Sequence, residues 1–192
     1  MKKVWPLTTF ICLMLVGVAQ AMPIDYKEGA WSKPVNGLRG RLLIEQRPTI
    51  NDSMIIGVVL ELENVSDRPL LVLNDPALAD VELFDGAGKP IASRRDLPLD
   101  GLVAYPEWKT IPPHQSIQFA IESHSVGVPH GVIFIDLYAH NYVDRVWTPD
   151  PAVHGSEYFL HGTFRHAKDV KDDLPTHWNG TLELPFVKIT AK

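Results

Sequence analysis

Cysteine is almost missing from this sequence: its 192 residues contain one, Cys12. Cys12 sits in an N-terminal apolar stretch, so the rest of the chain has neither disulfides nor a thiol nucleophile. A basic surplus is missing too, with 18 Lys and Arg against 23 Asp and Glu and a net charge of −5. Binding to nucleic acid rests on cations that neutralise phosphates, so nucleic acid is excluded as a partner. Helical periodicity is a third absence. Outside the N-terminal stretch no segment repeats its apolar residues every 3.6 positions, and nearly all of the 16 prolines lie beyond residue 21, which opposes long helices. Catalytic signatures are the fourth. There is no G-x-S-x-G elbow and no S-x-x-K. Ser123-His124-Ser125 puts a serine beside a histidine, but a triad is a matter of geometry, and adjacent side chains seldom converge on one reacting atom. The acidic pairs Asp80/Glu82 and Asp172/Asp173 read as solvated faces. Asp144, Asp150, Glu157 and Asp169 lack the regular D-x-D-x-D-G calcium loop. No catalytic residue and no cofactor is expected.

What is present begins with an export signal. Lys2 and Lys3 form a positive start, Phe10 to Val18 an apolar run, and Ala19-Gln20-Ala21 supplies small residues for signal peptidase. The apolar run from Leu7 to Ala21 is shorter than the roughly 20 residues of a membrane span. Cleavage after Ala21 would leave 171 residues beginning at Met22. It would remove two lysines and no acid, taking the net charge from −5 to −7. A periplasmic or secreted protein is expected, with no membrane insertion after cleavage. The expected division is a signal peptide over 1–21, a lead-in segment over 22–37 and a single β domain over 38–192.

Strand patterns fill that domain. Gly40, Leu42 and Ile44 alternate with Arg39, Arg41 and Glu45. Val58, Leu60 and Leu62 point one way, and Val59, Glu61 and Glu63 the other, toward water. Glu61 therefore reads as a surface residue, whose loss would move stability by no more than about 0.5 kcal/mol. Asn64-Val65-Ser66-Asp67 ends that strand with turn formers. Val81 to Phe84, Asp85-Gly86-Ala87-Gly88 and Pro90 to Ala92 read as a hairpin with a glycine-permitted turn. Ile111-Pro112-Pro113-His114 is a corner leading into the alternating Ile117, Phe119 and Ile121. Gly131 to Tyr138 is a continuous apolar run, as expected of a central strand buried on both faces. Tyr158 to Phe164 and Thr181 to Ile189 complete the series, with Pro185 expected at a bulge or edge. Val58, Leu60, Leu62, Phe119 and Phe134 are the expected core. Short strands punctuated by turns, without intervening helices, imply an all-β antiparallel sandwich.

The succession Leu60-Glu61-Leu62-Glu63-Asn64-Val65-Ser66-Asp67-Arg68-Pro69-Leu70 resembles a motif of bacterial immunoglobulin-like modules. Ile111-Pro112-Pro113-His114-Gln115-Ser116 before a strand does so too. Together they are similar to secreted domains of the intracellular proteinase inhibitor-like group and to periplasmic members of that kind. The resemblance spans Leu38 to Phe164 and implies an immunoglobulin-like antiparallel β-sandwich, here with long loop insertions near 94–110 and 139–156. It implies fold only, permits a protease-inhibitor-like role by analogy, and carries over no functional residue.

Three sets of residues remain as candidates. All eight histidines lie between His114 and His177 and could serve a periplasmic metal-handling protein. No pair has ligand spacing on one element, and His161 and His166, five apart, would face opposite ways on a regular strand. No metal site is therefore assigned. Asn51, Asn64 and Asn179 match the glycosylation acceptor pattern but read as turn residues. Aromatics outside the strand pattern are the third set: Tyr105, Trp108, Tyr142 and Trp147, among Pro106, Pro149 and Pro151. They are the expected binding residues of a non-catalytic module that recognises another periplasmic or secreted protein, a peptide or a glycan through its loops. The alternative is that they fold inward and cap the domain. Trp31 and Trp178 are expected to pack.

Overall fold

The computed structural model describes residues 27–48, 52–98, 107–121, 132–139, 143–166 and 176–190. Expectations for the signal segment 1–21, and for Tyr105 and Tyr142, lie outside the described residues. In chain order the strands are β1 (Lys27–Glu28), β2 (Leu38–Pro48), β3 (Met54–Asn64), β4 (Leu70–Asn74), β5 (Ala79–Asp85), β6 (Pro90–Ile91) and β7 (Arg95–Pro98). They continue with β8 (Glu107–Ile111), β9 (Ser116–Ala120), β10 (Ile133–Ala139), β11 (Val143–Trp147), β12 (Glu157–His166) and β13 (Gly180–Thr190). The one α-helix among the described residues is the single turn α1 (Pro151–His154), and a 3-10 turn spans Pro76–Leu78.

These strands form three sheets and no barrel. The largest runs β1-β2-β3-β10-β11-β7, with β9 also paired to β3. A four-stranded sheet runs β13-β12-β5-β6, and β4 pairs with β8 alone. Buried residues from all three merge into one core, including Leu42, Leu60, Val72, Leu83, Ile111, Leu137, Tyr158 and Leu184. Val58, Leu60, Leu62 and Phe119 take their expected places in this core, whereas Phe134 is buried outside it, on the other side of β10 from Ile133 and Ile135.

Local chemistry accounts for the main joints. Period-2 alternation lets β2 and β3 pair over eleven residues, with Leu42 opposite Leu60 and Ile44 opposite Val58 on the core side. Asn64 then ends β3 from a fully buried position. Its amide donates to the carbonyls of Arg68 and Ile111, and its Oδ1 accepts from the Ser66 backbone and hydroxyl. That burial leaves no room for a glycan on Asn64. The Pro112-Pro113-His114 corner docks on the same residue, with the His114 amide donating to the Asn64 carbonyl at 2.8 Å. The two stretches that carry the resemblance are thus joined in space. The β5–β6 hairpin turns through Gly88 at φ 79°, and Asp85 Oδ1 accepts from the Ala87 and Lys89 amides. β10, the continuous apolar run, lies between β3 and β11 with Ile133 through Leu137 buried, and it runs parallel to β3, so the largest sheet is mixed rather than wholly antiparallel as expected.

Three further expectations need correction. The stretches near 94–110 and 139–156 are not simply loops, because β7, β8, β11 and α1 lie within them. The polar centres of Val143-Asp144-Arg145-Val146-Trp147 and of Arg95–Pro98 hide the alternation, and pairing to their neighbours overrides it. Part of the 22–37 segment also belongs to the largest sheet. β1 pairs with β2, and Gly29 and Ser32 donate to the carbonyls of Leu42 and Gly40.

The third correction is Glu61, which is 6% exposed rather than a surface residue. Its carboxylate accepts from Arg41 Nε at 2.6 Å, Ser116 Oγ at 3.0 Å and Gln118 Nε2 at 3.1 Å. β9 lies beside β3 and brings the last two, while Arg41 comes from β2. The Arg41 and Arg39 guanidiniums lie 4.4 Å and 4.6 Å from the centre of the Trp31 ring. Burial alone would raise the Glu61 carboxyl. Hydrogen bonds from Gln118, Arg41 and Ser116, with the Arg41 charge, outweigh it and hold the group below the ordinary glutamate range.

Candidate functional site

The loop aromatics divide by environment. Trp147 lies on β11, 2% exposed, its indole N–H donating to the Ile91 carbonyl at 2.9 Å. Its ring belongs to the core. Trp108 lies on β8, half-buried, with its ring flat on His177 at 4.2 Å and edge-on to His166 at 5.4 Å. The same end of the molecule holds Trp178, which is buried, stacks on Phe164 and donates to the Val35 carbonyl. His166 Nδ1 lies 3.1 Å from the Trp178 carbonyl. Trp108 and Trp147 therefore serve two different packing environments and form no shared patch.

A cluster absent from the sequence-based expectations lies on the face of the four-stranded sheet that turns away from the core. Along β12, Tyr158, Leu160, Gly162 and Phe164 are buried, which directs Phe159, His161 and Thr163 outward. Phe84 on β5 pairs with Phe159, and Glu82 with His161. On β13, Leu160 opposes Val187 but Gly162 opposes Leu184, so Pro185 and Phe186 together face His161. This is the bulge expected at Pro185, and its consequence is Phe186. The extra residue turns Phe186 outward, 53% exposed, and stacks it on His161 at 4.3 Å. Phe84 meets Phe186 edge-on at 5.4 Å, and Phe159 meets it at 6.5 Å. Gly162 supports the irregularity, since a Cβ there would lie 2.3 Å from the Asp80 carbonyl oxygen.

Next to these rings is an open cleft of about 350 Å³, lined by Glu82, Pro90, Ile91, Ala92, Ser93, Arg145 and Trp147. Pro90 opposes Phe84 across the β5–β6 pair, and Glu82 belongs to both features, so cleft and rings adjoin. Arg145 donates to Asp80 at 2.8 Å, and Lys188 pairs with Glu157. Glu82 and Glu183 are exposed and have no side-chain partner among the described residues.

No protein-family model matches this chain, and no curated protein matches it in sequence. Contiguous rings rimmed by polar groups are a composition favoured at contact surfaces, because aromatics bring large area at low entropic cost. Among the described residues no group of three or more His, Asp or Glu could hold a metal ion, and no helix is long and apolar enough to cross a membrane. His161 and His166 do face different ways. One meets Phe186 on the sheet face, the other Trp108 at the domain end.

The ring cluster left one signal in the sequence. Tyr158-Phe159-Leu160-His161 puts large side chains on both faces of a strand, where a half-solvated strand would alternate with polar residues. The arrival of Phe186 left none, since it depends on the register step at Pro185.

Proposed function

We propose that this chain is an exported, non-catalytic recognition module. In this reading it is an immunoglobulin-like sandwich of the two larger sheets that engages a periplasmic or secreted partner. The proposed contact is the outer face of the four-stranded sheet rather than the loops. The observation that carries the reading is Phe186. A large apolar side chain is 53% exposed on a backbone bulge and stacked with other rings. Full burial stabilises such a side chain by about 1.5–3 kcal/mol, of which the free protein forgoes roughly half at 53% exposure and a partner can supply it. The blunted edge argues in the same direction. Pro185 lacks an N–H and sits in a bulge on the edge strand β13, which discourages strand addition there. Recognition then falls to side chains on the face. The amino-terminal residues Lys2 to Ala21 support export.

The test is a photoreactive benzophenone side chain installed at position 186 or, as a control, at the 71%-exposed Val153, in cells exporting the chain. A discrete cross-linked product is expected from position 186 only, on a chain whose mass begins at Met22. Identical products from both positions, or none from 186, would refute the face as a recognition surface. A product still carrying Lys2 would refute cleavage.

A further inference from the structure

The same chain contains two outer sheet faces that carry aromatics and carboxylates, and they are completed differently. On the largest sheet, the Trp31 ring is covered by two guanidiniums, Arg39 at 4.6 Å and Arg41 at 4.4 Å from its centre. Arg39 pairs with Glu63, and Arg41 with Glu28 and Glu61. Ring, cation and carboxylate together form a self-satisfied surface, since the ring face attracts the cation and the carboxylates orient it.

On the four-stranded sheet the rings and carboxylates recur without that cation. Phe186 and Phe84 lie beside His161, Glu82 opposes His161 across β5–β12, and Glu183 opposes Thr163 across β12–β13. Side chains directly opposite on one face lie about 4.5–5.5 Å apart at Cβ, so Glu82 sits beside His161, and Glu183 beside Thr163 one step further along β12. Of the cations near the face, Arg145 pairs with Asp80 and Lys188 with Glu157. Arg165 is exposed on β12 and lies two residues beyond Thr163, away from Phe186.

From this juxtaposition we propose that the occupant of the face is an arginine-bearing basic segment of a partner protein. Its guanidiniums stack on Phe186 and Phe84, and Glu82 and Glu183 hold them by charge-assisted hydrogen bonds. This rests on the reading of the face as a recognition surface and adds the chemistry of the partner. The net charge of −5, or −7 after removal of residues 1–21, favours encounter with such a segment. Arginine is favoured over lysine because its planar group both stacks and pairs in a bidentate manner.

Calorimetric titration of the mature chain separates the alternatives, with hexa-arginine amide, hexa-lysine amide and neutral cellohexaose as probes. Hexa-arginine should bind saturably and more tightly than hexa-lysine. Both Phe186→Thr and the double variant Glu82→Gln/Glu183→Gln should weaken it at least about tenfold. Thermal melts of all variants should stay near wild type. Hexa-arginine binding that is indifferent to Phe186→Thr would be general attraction to an acidic protein and would overturn the proposal. Cellohexaose binding that Phe186→Thr abolishes would also overturn the cationic occupant while preserving the face as a recognition surface. Binding of none of the three probes would overturn it as well.

Discussion

Trp147→Ala should lower the stability of the mature protein by about 3–5 kcal/mol, as removal of large buried aromatics does. Trp147 is 2% exposed, packs into the common core and ties β11 to the β6 edge through its bond to the Ile91 carbonyl. Truncation leaves a cavity between two sheets and leaves that carbonyl without its partner. For a domain of this size each kcal/mol shifts the melting point by roughly 2–4 °C, so a fall of about 6–20 °C is expected in a thermal melt. A fall below about 3 °C would mean that Trp147 is spare for binding, as its sequence context suggests.

Leu60→Ala and Glu61→Ala should both be costly, and pH should tell them apart. Leu60 is fully buried, and its truncation should remove about 2–5 kcal/mol in urea titrations at any pH. Glu61→Ala strips three donors of their acceptor and leaves Arg41 with Glu28 and the Trp31 ring, a loss of about 2–3 kcal/mol near neutrality. Because the folded state holds the Glu61 carboxyl below its ordinary value, its stabilisation is complete above the unfolded pKa. That stabilisation is lost as pH falls through the lower, folded value. The Glu61→Ala deficit should therefore shrink in strong acid, and the Leu60→Ala deficit should not. A Glu61→Ala protein within about 0.5 kcal/mol of wild type at pH 7 would return Glu61 to the surface.

These two neighbours also show what a sequence can and cannot convey here. The alternation of β3 tells which face each residue takes, because the period is fixed by the backbone. It does not tell what covers that face. Glu61 is covered by Arg41, Ser116 and Gln118, on strands far from it in sequence. Asn64 and the Pro112-Pro113-His114 corner were legible as punctuation, since amide side chains and prolines act locally. Their mutual docking was not. Trp147 was misleading because Asp144 and Arg145 interrupt its strand with charge, and Arg145 is directed at Asp80. Phe186 was hidden for a different reason. One inserted residue at Pro185 decides whether it turns inward or outward, and that register step belongs to the β12–β13 pair rather than to either strand alone.

The aromatics divide into those that hold the fold and those proposed for contact. Thermal melts of Phe186→Thr and Trp147→Ala, run side by side, test that division most directly. Threonine keeps the strand propensity and removes a half-exposed ring with its contacts to His161, Phe84 and Phe159, so Phe186→Thr should cost on the order of 1 kcal/mol and stay within about 4 °C of wild type. Trp147→Ala should fall by roughly 10 °C. A Phe186→Thr protein that melts as low as Trp147→Ala would show that the outer rings are packing, and the recognition face would be refuted.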